Sequence, residues 1–169
     1  MNKALLVIDM QRLLVGKDHA KIFKYDNETL LRNANRLIAS YPPENVYYIL
    51  NLMKRNLINR LAPAQAYDGD PAAELADELS VISTNIYKKF AGNAFTNPDL
   101  AAKLRASGIT EIDIIGVAGC GCVPMTAEGA LREGFSVHIL SSVVGTMSPK
   151  RAVKQRDRIT ALGVKYVDQ

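Results

Sequence analysis

The chain has 169 residues, of which 48% are hydrophobic and 22% charged, values typical of a soluble globular protein with one core. No apolar run approaches the roughly 18 residues that a membrane span needs, so we expect no membrane association. The net charge is +4, and its densest basic stretch, residues 150–158, has no interleaved aromatic residues. That stretch indicates a solvated helix face and no nucleic-acid site.

The remaining bulk features predict one cytoplasmic domain spanning residues 1–169. The chain begins Met1-Asn2-Lys3 and enters a strand-like run directly, without a signal-peptide pattern. It has two cysteines, Cys120 and Cys122, which are too few and too close together for a disulfide framework.

Strand-like and helix-like segments alternate along the chain. Residues 3–8 form a continuous apolar run, which predicts a strand buried on both faces. In residues 27–40 the apolar positions recur at helical spacing, and Pro42-Pro43 ends that helix. The rest of the first half predicts a strand at 46–50, a short helix at 71–79 and a strand at 81–87.

The second half continues the alternation. Asn97 is a good N-cap for a helix that ends before Gly108, and the last helix, from Ser148-Pro149 to near Gly163, is expected to bury three apolar residues. Those three are Val153, Ile159 and Leu162. The other predicted elements are strands at 112–117, 135–140 and 164–167 and a helix at 123–133.

This alternation predicts a three-layer α/β/α fold with a largely parallel, Rossmann-like sheet of six strands. Ligands of such sheets bind beyond the carboxyl ends of the strands. Asp9, the Lys88-Lys89 pair and the turn before Cys122 all follow predicted strands, so we expect them to share one crevice. The irregular segment 51–70 could be a lid or a wall of that crevice.

Cys122 is the most informative of these residues. The segment Gly119-Cys120-Gly121 delivers it to the first turn of a predicted helix. Unpaired N–H groups and the positive end of the helix dipole stabilise an anion there. We therefore expect a lowered thiol pKa and a nucleophilic thiolate.

Four pieces of the chain, in this order, resemble the isochorismatase-like cysteine hydrolases, which include nicotinamidases and N-carbamoylsarcosine amidase. Each piece alone is modestly specific, but the ordered set is strong. The pieces are Leu5-Leu6-Val7-Ile8-Asp9-Met10-Gln11, Lys89 six residues before Phe95, Gly116-Val117-Ala118 leading to Cys122-Val123, and Thr126-Ala127 followed by Gly134-Phe135.

The resemblance implies a small-molecule hydrolase that cleaves an amide or related C–N bond through a thioester. Asp9 would be the base and acid, Lys89 the group that stabilises the thiolate, and Cys122 the nucleophile. A cis peptide at Val117–Ala118 would turn the Ala118 N–H toward the site, where it forms an oxyanion hole with the Cys122 N–H. Relatives also form dimers or larger homo-oligomers.

Several assignments stay open on the sequence. Strand alternation sends Lys88 and Lys89 to opposite faces, and the distance to Phe95 favours Lys89. Gln11, Phe95 and Val117 are assigned to substrate binding, although core or loop roles for Gln11 and Phe95 are equally compatible with the sequence.

The chain also departs from its relatives. Cys120 stands where many carry an acidic residue, and Gly129 and Ser142 replace common aspartates. The only histidines are His19 and His138, and the Asp-x-His…His metal motif of nicotinamidases is missing. We therefore expect no metal and no other cofactor.

Two alternatives compete with the hydrolase. One is a catalytically inactive protein of the same fold that binds a metabolite or a protein partner. The other is nucleotide binding through Gly116, Gly119 and Gly121, but this glycine spacing differs from a dinucleotide fingerprint and follows the fourth predicted strand.

Overall fold

The computed structural model describes residues 2–57 and 59–168; Met1, Ile58 and Gln169 of the predicted domain lie outside this description. Its strands are β1 (Lys3–Ile8), β2 (Val46–Asn51), β3 (Ile86–Lys89), β4 (Glu111–Val117), β5 (Ser136–Gly145) and β6 (Lys165–Val167). Its helices are α1 (Arg12–Val15), α2 (Asn27–Ile38), α3 (Pro98–Ala106), α4 (Cys122–Arg132) and α5 (Pro149–Thr160). Short 3₁₀ turns occupy Pro43–Asn45, Asn59–Leu61, Pro71–Ala73 and Ala94–Thr96.

The six strands form one sheet in the order β3-β2-β1-β4-β5-β6, and every described neighbouring pair is parallel. The chain builds outward from β1 in one direction as far as β3, and then continues from β4 on the other side of β1. The strand order therefore reverses between β1 and β4, which is where ligands of open parallel sheets bind.

Helices cover both faces of this sheet and make it the middle of three layers. Alternate residues of β1 enter the two cores: Leu6 and Ile8 pack on one side and Leu5 and Val7 on the other. The first core includes apolar residues of α3, α4 and α5, and the second includes those of α1 and α2. The continuous apolar sequence of β1 follows from this burial on both faces. None of the described helices is both long and apolar enough to cross a bilayer.

The predicted helix at 71–79 is wrong, because only Pro71–Ala73 forms a 3₁₀ turn. The residues after the turn pair with the segment that follows β1. The Arg12 N–H donates to the Glu74 carbonyl at 2.9 Å, and the Ala76 N–H donates to the Met10 carbonyl at 2.9 Å. These bonds use backbone groups that a helix would have paired internally.

Two strands also differ from their predicted bounds by more than one residue. The third strand was expected at 81–87, but β3 begins at Ile86 and continues to Lys89. Strand β5 was expected to end at 140, but it continues to Gly145 through an irregularity. There the step from Ile114 to Gly116 in β4 corresponds to the longer step from Ile139 to Val144 in β5.

Helix α5 is only partly anchored. Ile159 is buried as expected, but Val153 is 58% exposed and Leu162 is 54% exposed, so the prediction was wrong for both. Ile159 is the one buried residue of α5, because this helix covers the end of the sheet, where the edge strand β6 has only three residues.

Gly116 lets β4 approach β1 at the reversal of strand order. Its φ is +111°, and a Cβ there would lie 2.1 Å from the Ile8 carbonyl oxygen. Gly163 has a similar φ of +108°, but a Cβ at that position would meet nothing within 4 Å. A comparison of alanine substitutions at the two positions therefore distinguishes the free-energy cost of a positive φ from the cost of a steric overlap.

We expect Gly163→Ala to lower the free energy of unfolding by about 1–2 kcal/mol, the cost of the left-handed conformation. Gly116→Ala should cost at least about 2 kcal/mol more, because its Cβ also overlaps the backbone of β1. Urea unfolding with fitted midpoints and slopes measures both changes. Equal losses in the two variants would show that the contact with Ile8 does not constrain the sheet.

Candidate active site

The reversal of strand order brings two sequence-predicted residues to one place. Asp9 follows β1 directly, and the turn that leads to Cys122 follows β4. These strands are neighbours, and Ile8 is paired with Gly116 where both strands end. Parallel pairing thus places the carboxylate and the thiol together at the carboxyl ends of these two strands.

Asp9 is held in an unusual backbone conformation. Its φ is +55°, in the left-handed region that aspartate adopts more readily than most residues. Its N–H donates to the Ile49 carbonyl of β2 at 3.0 Å, and the residue is 1% exposed. The end of β1 therefore turns its carboxylate into the protein interior.

Lys89 reaches Asp9 across the end of β2. Strand β3 lies two positions from β1, a separation of about 10 Å, which the long lysine side chain spans. Lys89 Nζ lies 3.0 Å from Asp9 Oδ2, and both side chains are buried. Lys88 instead points outward and pairs with Asp68 at 2.5 Å. Strand alternation thus directs Lys89, and not Lys88, toward the carboxylate.

Cys122 completes this cluster as the first residue of α4. Its thiol lies near both charged side chains, because the Asp9 charge raises the pKa of Cys122 and the Lys89 charge lowers it. Asp9 Oδ1 is buried and has no hydrogen-bond partner among the described residues. The carboxylate therefore has one oxygen paired with Lys89 and the other available to accept a proton.

The pKa of Cys122 shifts in the direction opposite to the sequence-based expectation of a lowered value. Burial is the largest cause that raises the pKa of Cys122 to about 12, and the Asp9 charge adds to it, while Lys89 lowers it. The pKa of Asp9 is also raised, by burial, and Lys89 opposes that rise. Burial and the nearby carboxylate therefore favour the neutral thiol over the thiolate.

The turn before Cys122 is fixed by its own backbone. The peptide bond between Val117 and Ala118 is cis. The Gly119 N–H donates to the Gly145 carbonyl at 2.8 Å, and the Gly121 N–H donates to the Ala118 carbonyl at 2.9 Å. Within the described part of the chain, neither the Ala118 nor the Cys122 N–H has a hydrogen-bond acceptor. Two donors thus remain available beside the thiol.

Two of the predicted substrate-binding residues make contacts within the chain. The Gln11 side chain is fully buried and bonds to the backbone of Asn51 and Ala73, which fixes the loops around the site. Phe95 packs against Phe135 with ring centroids 5.9 Å apart. Val117 is 1% exposed and packs in the second core.

Tyr25 is a neighbour of the site that sequence reasoning missed. Its ring lies 3.0 Å from where a Cβ of Gly145 would be and stacks on Phe23. Burial raises the pKa of Tyr25, and smaller contributions come from Cys120, Cys122 and Asp9. Tyr25 lies outside the periodic segments, so only the folded loop brings it near Asp9 and Cys122.

The glycine at position 129 has a steric explanation. A Cβ on Gly129 would lie 2.2 Å from Asn93 Oδ1. That oxygen accepts from the Phe95 N–H at 2.9 Å and so shapes the loop after Lys89. Thr126 supports the same loop from α4 by accepting from the Ala94 N–H at 3.1 Å.

The described residues near Asp9 do not fit a metal centre. The one described cluster of metal-type ligands is Glu111, Asp113 and His138, which lies toward the amino ends of β4 and β5, the opposite end of the sheet. Lys3 Nζ already lies 2.5 Å from Glu111 and 3.2 Å from Asp113. A lysine cation thus neutralises the carboxylates that a metal would need.

Comparisons with known proteins agree with this fold. The sequence model of the isochorismatase domain matches residues 3–168. Over 115 residues the chain is 26% identical to the nicotinamidase/pyrazinamidase of Mycobacterium tuberculosis, and the match covers 62% of each protein. The aligned part therefore spans less than two thirds of that relative.

Similar solved structures cover the chain more fully. The pyrazinamidase of Pyrococcus horikoshii, solved in complex with zinc, is 26% identical, with a TM-score of 0.80 and complete coverage of both chains. The N-carbamoylsarcosine amidase of Thermoplasma acidophilum is 23% identical, with a TM-score of 0.82 over 99% of this chain and 96% of that one. These matches confirm the predicted fold class, and the chain belongs to the isochorismatase family.

Proposed function

We propose that this protein is a cysteine hydrolase that cleaves an amide or related C–N bond of a small molecule. The observation that carries the proposal is the buried cluster of Asp9, Lys89 and Cys122. Asp9 Oδ2 is paired with Lys89, whereas Asp9 Oδ1 has no hydrogen-bond partner among the described residues and the Cys122 thiol lies nearby. A neutral thiol next to an ionised carboxylate is a nucleophile with its general base. The relationship to named amidases supports the same reaction class.

In the first half-reaction, Asp9 accepts the thiol proton as Cys122 Sγ attacks the substrate carbonyl carbon. The carbonyl oxygen becomes an oxyanion, and the unpaired N–H groups of Ala118 and Cys122 stabilise it. Lys89 remains charged and stabilises the negative charge that moves from the carboxylate to sulfur. Asp9 then protonates the leaving nitrogen, the C–N bond breaks, and a thioester remains on Cys122.

In the second half-reaction, Asp9 removes a proton from a water molecule that attacks the thioester carbon. The C–S bond breaks, the carboxylic acid leaves, and Asp9 returns the proton to the Cys122 sulfur. The high thiol pKa fits this scheme, because the proton leaves only as the S–C bond forms. No step uses a metal or another cofactor. The proposed substrate is a small molecule, and the proposed assembly of the protein is a homo-oligomer.

One observation favours a second candidate, a non-catalytic protein that binds a metabolite or partner. A cysteine with a pKa of about 12 is a poor nucleophile on its own. In that case the Asp9–Lys89 pair would only stabilise the end of the sheet. The two candidates differ in whether Cys122 forms a covalent intermediate.

We expect Cys122→Ala to reduce hydrolysis by at least about a thousandfold, because it removes the nucleophile. Ammonia release from a panel of primary amides, carbamoyl compounds and imides provides the assay. Cys120→Ser is the matched control, since it changes a sulfur two residues away, and it should retain most activity. Full turnover by Cys122→Ala would exclude covalent catalysis, and a lack of turnover by the wild type would favour the binding protein.

We also expect Asp9→Asn to change reactivity and turnover in opposite directions. Removal of the carboxylate charge lowers the pKa of Cys122, so alkylation by iodoacetamide at pH 8 should be at least about tenfold faster. Amide hydrolysis should fall by at least about a hundredfold, because the base is lost. Lys89→Ala should slow alkylation, since the cation lowers the thiol pKa.

Lys88→Ala is the matched control for this experiment, because Lys88 is exposed and pairs with Asp68. It should leave both rates close to those of the wild type. Circular dichroism checks that each variant folds. Alkylation that slows in Asp9→Asn, or turnover that survives in it, would contradict the assignment of Asp9 as the base.

A further inference from the structure

A cavity of about 270 Å³ lies between α5, β5, β6 and the turn that precedes Cys122. None of Asp9, Lys89 and Cys122 lines it. Gly119 forms one wall, and the Gly119 N–H is bonded to the Gly145 carbonyl at 2.8 Å. The cavity is therefore separate from the triad but shares the backbone of the nucleophile turn.

Arg156 lines this cavity with a guanidinium that has no acidic partner in the described part of the chain. The group stacks on the Tyr166 ring at 4.6 Å from the centroid. Arg158, two residues further along α5, is by contrast paired with Glu128 at 2.7 Å. Stacking fixes the plane of Arg156 and leaves its N–H edge available, which suits bidentate recognition of a carboxylate.

Ser141 supplies a second unpaired polar group. It lies in the irregular part of β5 and lines the same cavity. Its hydroxyl oxygen is buried and has no hydrogen-bond partner among the described residues. Buried hydroxyls are normally paired, so this one is available to a ligand oxygen once the serine side chain rotates toward the cavity.

The other walls are mainly apolar. Val144, Ala152 and Val153 line the space, and Val153 is 58% exposed there. An apolar hollow with a few convergent polar groups is typical of a small-molecule site. Its volume is slightly below the usual range for drug-sized ligands, which limits the ligand to a compact molecule.

The charge around the cavity favours an anion. Helix α5 carries five basic residues, Lys150, Arg151, Lys154, Arg156 and Arg158, and one acidic residue, Asp157. Two copies of such a face would repel each other, whereas a carboxylate would be attracted. The charge pattern thus argues against a second copy of the chain as the occupant.

We propose that this cavity is a binding site for a small carboxylic acid with a compact apolar body. The carboxylate pairs with Arg156 and accepts a hydrogen bond from Ser141, while the apolar body contacts Val144 and Val153. Because Gly119 is one wall, the bound acid contacts the turn before Cys122 without reaching Asp9, Lys89 or Cys122. The site goes beyond the proposed hydrolase and does not depend on it.

The test is an NMR titration of the ¹⁵N-labelled full chain with benzoate, with benzyl alcohol as a neutral probe of similar shape and acetate as a probe without the apolar body. Benzoate should shift the amide signals of Gly119, Ser141 and Ala152 in a saturable way and bind at least about tenfold more tightly than either other probe. Equal binding of benzyl alcohol would overturn the role of Arg156. Shifts confined to residues beside Asp9 and Cys122 would overturn the site.

Variants then assign the contact. Arg156→Gln should weaken benzoate binding at least about tenfold, because a charge-assisted hydrogen bond is lost. The matched control is Arg151→Gln, which makes the same charge change on α5 away from the cavity lining and should weaken binding less than about twofold. Equal effects of the two variants would show that only the general charge of α5 matters.

The oligomeric state provides the remaining check. Analytical ultracentrifugation of the wild type and Val153→Glu should give the same association state, because the proposal leaves this face free of other copies. Dissociation of an oligomer by Val153→Glu would assign the cavity to an interface and overturn the proposal. All of these readouts measure binding or assembly, so they remain informative whether or not the protein hydrolyses amides.

Discussion

The buried ion pair between Asp9 and Lys89 is the interaction on which the site depends. It joins the ends of β1 and β3 across β2, so its geometry requires all three strands in parallel register. Both charges are out of water, and the loss of either partner would leave the other unpaired at a high energetic cost. The same pair acts on the thiol in opposite directions, because the Asp9 charge raises the pKa of Cys122 and the Lys89 charge lowers it.

The position of the thiol depends on a second constraint, the close approach of β4 to β1. At Gly116 the two backbones come so near that a side chain would overlap Ile8. The turn that follows is held from outside by the Gly119–Gly145 hydrogen bond. Gly119 and Gly121 both contribute backbone hydrogen bonds that hold this turn.

Polar groups occur at both ends of the sheet, and their surroundings differ. At the carboxyl ends, Asp9 has an oxygen without a partner beside a thiol. Toward the amino ends, Asp113 is surrounded by Lys3, Tyr41 and His138, and its oxygens are engaged. A satisfied network stabilises a fold, whereas unsatisfied groups that converge on one place indicate chemistry or binding. The same distinction separates Arg156 from Arg158 on α5.

The sequence by itself determined the class of sheet and the principal candidates of the site. The apolar run of β1, the Asn97 cap and the turn before Cys122 are local signals, and neighbouring residues suffice to interpret them. The tertiary structure decided what depends on distant contacts. Residues 71–79 are not helical because their backbone pairs with the chain near Met10, and Val153 is exposed because the edge of the sheet is short. The thiol pKa is raised, not lowered, because burial and the carboxylate of Asp9, 113 residues away in sequence, outweigh the helix terminus and Lys89. Burial and charge at a site are sums over neighbours in space, and the linear order of residues does not contain them.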